Sequence, residues 1–160
     1  MNSNTLIQTL QLQPHPEGGF YKETYRSNQS VTNNEGQSRN VSTAIYYLLE
    51  NEDKSHFHRI KSDELWYFHQ GQALEIVSIQ NNNLVTILLG NDLSKGEVPQ
   101  AMIPANTWFA SKVKNDVGFS LVSCSVAPGF DFADFEMAKR QDLIQLFPHV
   151  KDVIVKFTKA

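Results

Sequence analysis

The chain has 160 residues, of which 41% are hydrophobic, so it can bury the core of one domain and is too apolar for a disordered polymer. Its formal net charge of −3 is spread over charges of both signs, so we expect neither nucleic acid nor a membrane as a partner. The single Cys124 excludes an internal disulfide, and no secretory signal or membrane span is recognisable, so we expect one cytoplasmic domain over residues 1–160.

The chain begins with a predicted helix and a predicted strand. Ser3 or Asn4 is a candidate cap for a short helix that should end before Pro14. Residues 20–26, F-Y-K-E-T-Y-R, have the aromatic and β-branched content of a strand. The polar residues 27–39 have no periodicity and favour a mobile loop.

The turn P-H-P-E-G-G lies between that helix and that strand. It contains His15 and Glu17, followed by Gly18 and Gly19. We interpret it as a conformational turn, in which the two glycines allow a close backbone approach.

From Val41 onward, strand patterns recur at short intervals and are separated by Gly, Asn or Pro turns. With residues 20–26 they make about eight strands without long helices between them, which predicts an antiparallel barrel or jelly roll. After Pro128, the spacing of Leu143, Ile144 and Phe147 predicts closing helices outside the barrel. We therefore predict a mainly all-β fold with short N-terminal and C-terminal helices.

The segment S-H-F-H-R-I-K-S-D-E contains the residues most suited to chemistry. In a strand, His56 and His58 point to one face and Phe57 to the other, so two imidazoles facing inward would converge with Glu64. Two imidazoles and a carboxylate suit a divalent metal such as zinc, iron, nickel or manganese, and they leave positions open for substrate. The alternative is that both histidines form hydrogen bonds near a strand end and coordinate nothing.

Further pocket candidates follow from strand alternation. Tyr21, Glu23 and Tyr25 share one face of the strand 20–26, and the sequence leaves open which face lines the pocket. Trp66 and Phe68 share the face of the carboxylate at position 64, where they would form apolar walls.

The same segment resembles the first motif of the cupin superfamily, which pairs H-x-H with a downstream Glu and then a turn Gly. The distance from Glu64 to Gly71 agrees with that motif, whereas the gap after His58 is one residue longer than usual. Asp63 would fit the shorter gap but would spoil the distance to the glycine.

The second cupin motif is altered in I-P-A-N-T-W-F-A. Pro104 is in place, and Asn106 stands where Gly is usual, a mild change because Asn tolerates the left-handed conformation. Phe109 stands at the position of the fourth ligand, His, and cannot bind metal. Three ligands remain, which is enough for a catalytic metal with open positions.

The motifs P-H-P-E-G-G-F-Y-K-E-T-Y-R-S, S-T-A-I-Y-Y-L-L and S-D-E-L-W-Y-F-H-Q-G resemble the cupin-5 family, DUF985, and the similarity spans nearly the whole chain. This resemblance implies a cupin double-stranded β-helix, RmlC-like and similar to sugar-nucleotide epimerases, that pairs into a homodimer. The family is named for its domain, so the resemblance implies no reaction.

Three hypotheses for function remain open. The first is a small-molecule-binding cupin that acts as a sugar or sugar-nucleotide isomerase or epimerase, with His56 or His58 as general base and Glu64 or Tyr25 completing the proton transfer. The second is a metal-dependent oxygenase or lyase that uses the two histidines and Glu64 as ligands. The third is a ligand-binding or sensor domain without turnover.

Overall fold

A computed structural model describes all 160 residues of the chain. The helices are α1 (Ser3–Leu10), α2 (Arg140–Leu146) and α3 (Lys151–Lys156). The strands are β1 (Gln13–Pro14), β2 (Phe20–Arg26), β3 (Ser30–Thr32), β4 (Ser38–Asn40), β5 (Thr43–Glu50), β6 (Lys54–Arg59), β7 (Asp63–Gly71), β8 (Leu74–Gln80), β9 (Asn83–Leu89), β10 (Gln100–Ile103), β11 (Phe109–Val113), β12 (Phe119–Ala127) and β13 (Glu136–Met137). Short 3₁₀ turns occupy Leu93–Lys95, Lys114–Asp116, Phe132–Asp134 and Pro148–Val150.

Two antiparallel sheets form the barrel. One has six strands in the order β1-β2-β5-β12-β7-β10, and the other has five in the order β13-β6-β11-β8-β9. A core cluster from the inner faces of both sheets, including Tyr47, Trp66, Ile76 and Phe109, is almost fully buried. This jelly-roll arrangement confirms the predicted mainly all-β fold.

The helices cover outer faces of the two sheets. On the five-stranded sheet, Phe57 packs against Phe157, next to Leu143 of α2 and Ile154 of α3. On the six-stranded sheet, Leu6 of α1 belongs to a smaller apolar cluster with strand residues. No helix is long and apolar enough to cross a membrane.

The loop predicted at 27–39 is the main departure from the expected elements, because β3 and β4 form a hairpin there. The Asn33 side chain accepts hydrogen bonds from the N–H groups of Glu35 and Gln37, which closes the turn. Arg39 forms two hydrogen bonds of 2.8 Å with the carboxylate of Asp134 and thereby ties the hairpin to the barrel. The contact of Arg39 with Asp134 joins residues 95 positions apart, which periodicity does not report.

The turn before β2 lies tightly against β6. The N–H of His56 donates to the carbonyl of Glu17 at 2.9 Å, and the Tyr47 hydroxyl donates to the carbonyl of Gly18. Gly18 has a φ of +113°, and a Cβ there would lie 1.9 Å from the Lys54 carbonyl oxygen. The glycine therefore allows the close backbone approach that was predicted for this turn.

We expect Gly18→Ala to destabilise the protein by at least about 2 kcal/mol more than Gly36→Ala. Both glycines have positive φ, but a Cβ at Gly36 would have nothing within 4 Å. Comparing the two variants therefore separates the cost of steric overlap with β6 from the cost of backbone strain. Urea unfolding of both variants measures the difference in their free energies of unfolding. Equal losses would show that the turn does not need its close approach to β6.

Candidate functional site

A cavity of about 470 Å³ opens at one end of the barrel, between the two sheets. This volume is within the range of small-molecule sites. Its wall combines titratable side chains with apolar and aromatic ones. The lining residues are His15, Glu17, Tyr21, Glu23, Arg26, Thr43, Ala44, Ile45, His58, Ile60, Glu64, Cys124, Val126, Phe130, Asp131, Phe132 and Phe135.

An ion pair between Glu17 and His58 lies in the cavity wall. Nε2 of His58 is 2.6 Å from Oε2 of Glu17, and both side chains are buried. Oε2 has no hydrogen bond of ordinary geometry, so charge and proximity hold the contact rather than an aligned hydrogen bond. The second ring nitrogen of His58, Nδ1, is 2.7 Å from the carbonyl oxygen of His56 and must donate to it.

The pair is expected to be charged. Burial raises the pKa of Glu17, but the nearby His58, with smaller contributions from His15 and Ser55, outweighs burial, and the net pKa is lowered. Burial likewise lowers the pKa of His58, yet the carboxylate of Glu17 and the carbonyl of His56 raise it above its ordinary value. Each partner therefore stabilises the charge of the other.

Glu64 lines the same cavity, but its pKa is raised, whereas that of Glu17 is lowered. Burial raises its pKa to about 8, with His58 opposing the shift and the charge of Glu17 adding to it. Trp66 is close enough to lower this pKa slightly, although its Nε1–H makes no hydrogen bond of ordinary geometry. At neutral pH the carboxyl therefore keeps its proton and is a donor.

His15 is a further titratable group of the cavity and is half-buried. The backbone N–H of Glu17 donates to its Nδ1 at 3.1 Å, so the ring proton lies on Nε2. Burial lowers the pKa of His15, the charge of Glu17 opposes this, and His58 adds to it. The ring is therefore neutral at neutral pH.

The prediction that two imidazoles face inward is wrong, because β6 contains a β-bulge. His58 pairs with Phe109 and Ser55 pairs with Ser111, so His56 and Phe57 together oppose one residue of β11. His56 does not line the cavity. Its Nδ1 lies 2.8 Å from the carbonyl oxygen of Glu17, where it holds the turn.

The predicted metal set of His56, His58 and Glu64 is not assembled. No group of three or more His, Cys, Asp or Glu side chains is arranged to hold a metal ion. Both ring nitrogens of His58 face oxygen acceptors, and a metal ligand needs a free lone pair. The carboxylate of Glu17 lies where a metal bound to Nε2 would be, so these residues do not fit a metal centre.

A second bulge divides the predicted residues of β2. Glu23 pairs with Ile45 and Tyr25 with Ala44, so Thr24 is an extra residue that breaks the alternation. Tyr21 and Glu23 line the cavity, but Tyr25 is 55% exposed and lies outside it. Arg26 takes its place in the wall.

The predicted apolar walls belong to the core rather than to the cavity surface. Trp66 and Phe109 pack edge to face in the core cluster, with Phe68 partly buried against it. The Phe109 ring is centred 4.2 Å from that of His58, so the residue at the fourth-ligand position supports the imidazole by packing.

Several lining residues are not predicted from the sequence. His15 and Glu17 belong to a turn, and the local signal for their role is weak, a charged residue directly before Gly-Gly. Phe130, Phe132 and Phe135 also line the cavity, where their ring centroids lie 4.9 to 6.3 Å apart. No motif marked this segment.

Comparisons with known proteins agree with this architecture. A family model described as Cupin superfamily (DUF985) matches residues 4–138. The uncharacterized protein YML079W of Saccharomyces cerevisiae is 34% identical over 152 residues, which cover 86% of this chain and 75% of that protein. A hypothetical protein from Leishmania major has a TM-score of 0.95 at 38% identity, over 100% of both chains. Protein SO0799 from Shewanella oneidensis has a TM-score of 0.91 at 42% identity, over 99% of this chain and 98% of that one.

We expect Glu64→Gln to become more stable relative to the wild type as the pH rises from 4.5 to about 8. In this window the unfolded wild type loses a proton that the folded protein keeps, so its free energy of unfolding falls by up to about 1.4 kcal/mol per pH unit. The glutamine does not titrate. Urea unfolding at several pH values measures the difference, with Glu52→Gln, the same substitution at an exposed glutamate, as the control. A pH-independent difference for Glu64→Gln would mean that Glu64 is ionised in the folded protein.

Proposed function

The chain belongs to the DUF985 family of the cupin superfamily. We propose that it is a small-molecule-binding cupin that transfers protons without a metal. The reaction class that fits is isomerisation or epimerisation of a sugar-like carbonyl compound. The single observation that carries the proposal is that one cavity holds two buried carboxyl groups in different surroundings, because Glu17 is paired with His58 at 2.6 Å and Glu64 forms no ion pair. An ionised and a protonated carboxyl in one site supply a base and an acid.

Glu17 is the proposed base. Its carboxylate lines the cavity and is held ionised by His58. The Nδ1–H of His58 donates to the carbonyl of His56, and its Nε2 contacts the Glu17 carboxylate. The imidazole therefore acts as a counterion that positions Glu17, and not as the base. This changes the role that the sequence suggested for the histidine.

Glu64 is the proposed acid. In the proposed step, the C–H bond next to the substrate carbonyl breaks and its proton goes to the carboxylate of Glu17. The carbonyl oxygen takes the proton of Glu64, which gives a neutral enediol and avoids an unstabilised negative charge. Glu17 then returns a proton to carbon while an enediol hydroxyl gives its proton to the Glu64 carboxylate, which re-forms a carbonyl and restores both carboxyl groups to their starting states.

The cavity wall suits such a step because it limits water around the reacting groups. Phe135 stacks on the His58 ring with centroids 5.3 Å apart, and Phe130 and Phe132 extend the apolar wall toward the solvent. Burial strengthens the charge interactions on which the tuning of the two carboxyls depends.

We expect the protein to exchange carbon-bound hydrogen of a bound sugar for deuterium in D₂O, because Glu17 and Glu64 break a C–H bond next to the carbonyl. Proton NMR of a panel of aldoses, ketoses and keto sugars measures the loss of the C–H signal. Glu17→Gln and Glu64→Gln should each slow exchange by about 100-fold or more.

Tyr25→Phe is the matched control, because Tyr25 is exposed on the opposite face of β2 and should leave the exchange rate unchanged. A sugar that raises the unfolding midpoint without any exchange would contradict the proposal and indicate a binding or sensor domain. Exchange that survives both glutamine substitutions would contradict the assigned roles.

A further inference from the structure

We propose that the cavity takes an uncharged sugar-like molecule and excludes its phosphorylated and nucleotide-linked forms. This inference rests on the proposed function and narrows it, because the family resemblance allowed both a sugar and a sugar nucleotide. The charges that line the cavity and the hydrogen bonds of its one arginine both favour the uncharged form.

The charged groups of the wall do not favour an anion. The negative groups are Glu17, Glu23 and Asp131, and the positive groups are Arg26 and His58. The wall therefore has a net charge of about −1 when Glu64 and His15 are neutral. The positive charge of His58 is already matched by the buried carboxylate of Glu17, 2.6 Å away.

The guanidinium of Arg26 is the group that would be expected to bind a phosphate, and it is already occupied. Its Nε donates to Glu23 at 3.1 Å, and Nη2 donates to the other carboxylate oxygen of Glu23. Its Nη1 donates to Asn40 at 2.7 Å and to the carbonyl of Phe130 at 3.1 Å. A phosphate would have to displace the Glu23 carboxylate, which binds the guanidinium through both oxygens, before it could bind Arg26.

Asp131 adds a further barrier to anions at the mouth. One of its carboxylate oxygens accepts from the N–H of Ala133 at 2.8 Å, and the residue is exposed beside the cavity. Its charge acts on Arg26, and no cation forms an ion pair with it. A phosphate near Arg26 is therefore also repelled by the unpaired charge of Asp131.

The remaining lining groups suit hydroxyls and the apolar faces of a sugar ring. The Thr43 side-chain oxygen accepts from the N–H of Phe130 at 2.9 Å, so its hydroxyl proton stays available to a ligand. Glu64 and His15 offer donors, and Glu17 offers an acceptor. The aromatic wall can pack against C–H groups.

The test is calorimetric titration of the full chain with matched pairs of ligands: D-fructose and fructose 6-phosphate, D-glucose and glucose 6-phosphate, and D-mannose and mannose 6-phosphate, with UDP-glucose as the nucleotide-linked probe. In the wild type we expect the free sugars to bind and each charged form to bind at least about 10-fold more weakly.

Two variants with the same change of charge separate the role of Arg26 from net charge. Glu23→Gln and Asp131→Asn each remove one negative charge from the wall, but only Glu23→Gln releases the guanidinium. We expect Glu23→Gln to tighten binding of the phosphate esters by about 10-fold and Asp131→Asn by about 3-fold at most. Unchanged circular dichroism spectra establish that both variants are folded.

Three results would overturn the inference. The first is that a phosphate ester or UDP-glucose binds as tightly as the free sugar or more tightly. The second is that no free sugar binds at about 50 mM. The third is that Glu23→Gln and Asp131→Asn tighten the binding of the phosphate esters equally. Deuterium exchange reports separately on the proposed function. Exchange restricted to phosphorylated sugars would overturn the ligand class alone, whereas selective binding of free sugars without exchange would overturn the proton transfer alone.

Discussion

The buried ion pair between Glu17 and His58 is the interaction on which the rest of the site depends. A lone charge at either position would be costly in this apolar surrounding, so each residue requires the other. The pair comes from two distant segments, the turn before β2 and the bulged strand β6, and Gly18 permits their contact. Once formed, the pair occupies the lone pair that a metal would need. Glu64 stays protonated because burial raises its pKa by more than the opposing charge of His58 lowers it.

Much of the fold could be predicted from the sequence because it depends on short-range patterns. Strand periodicity, turn residues and the helical spacing after Pro128 all report on local burial, and they predicted β2 at its observed residues and a helix around Leu143, where α2 lies. The β3–β4 hairpin was missed in part because one of the contacts that support it, between Arg39 and Asp134, joins residues 95 positions apart. Polar composition alone could not indicate that contact.

The site could be predicted only in part, for a related physical reason. His58, Glu64, Tyr21 and Glu23 do line the cavity. His56 and Tyr25 do not, because one extra residue in β6 and one in β2 shift the alternation, and a bulge leaves little trace in the sequence. Glu17 was read as part of a turn because its partner is 41 positions away, beyond the reach of any local pattern.

The protonation state of His58 tests the ion pair most directly. Long-range nitrogen–proton correlation NMR of ¹⁵N-labelled protein distinguishes an imidazolium from a neutral ring. At neutral pH, the pair predicts that both ring nitrogens of His58 carry protons in the wild type and that Glu17→Gln restores a neutral ring. A wild-type ring with one unprotonated nitrogen would contradict the pair, because that nitrogen would be free to bind a metal or accept a substrate proton.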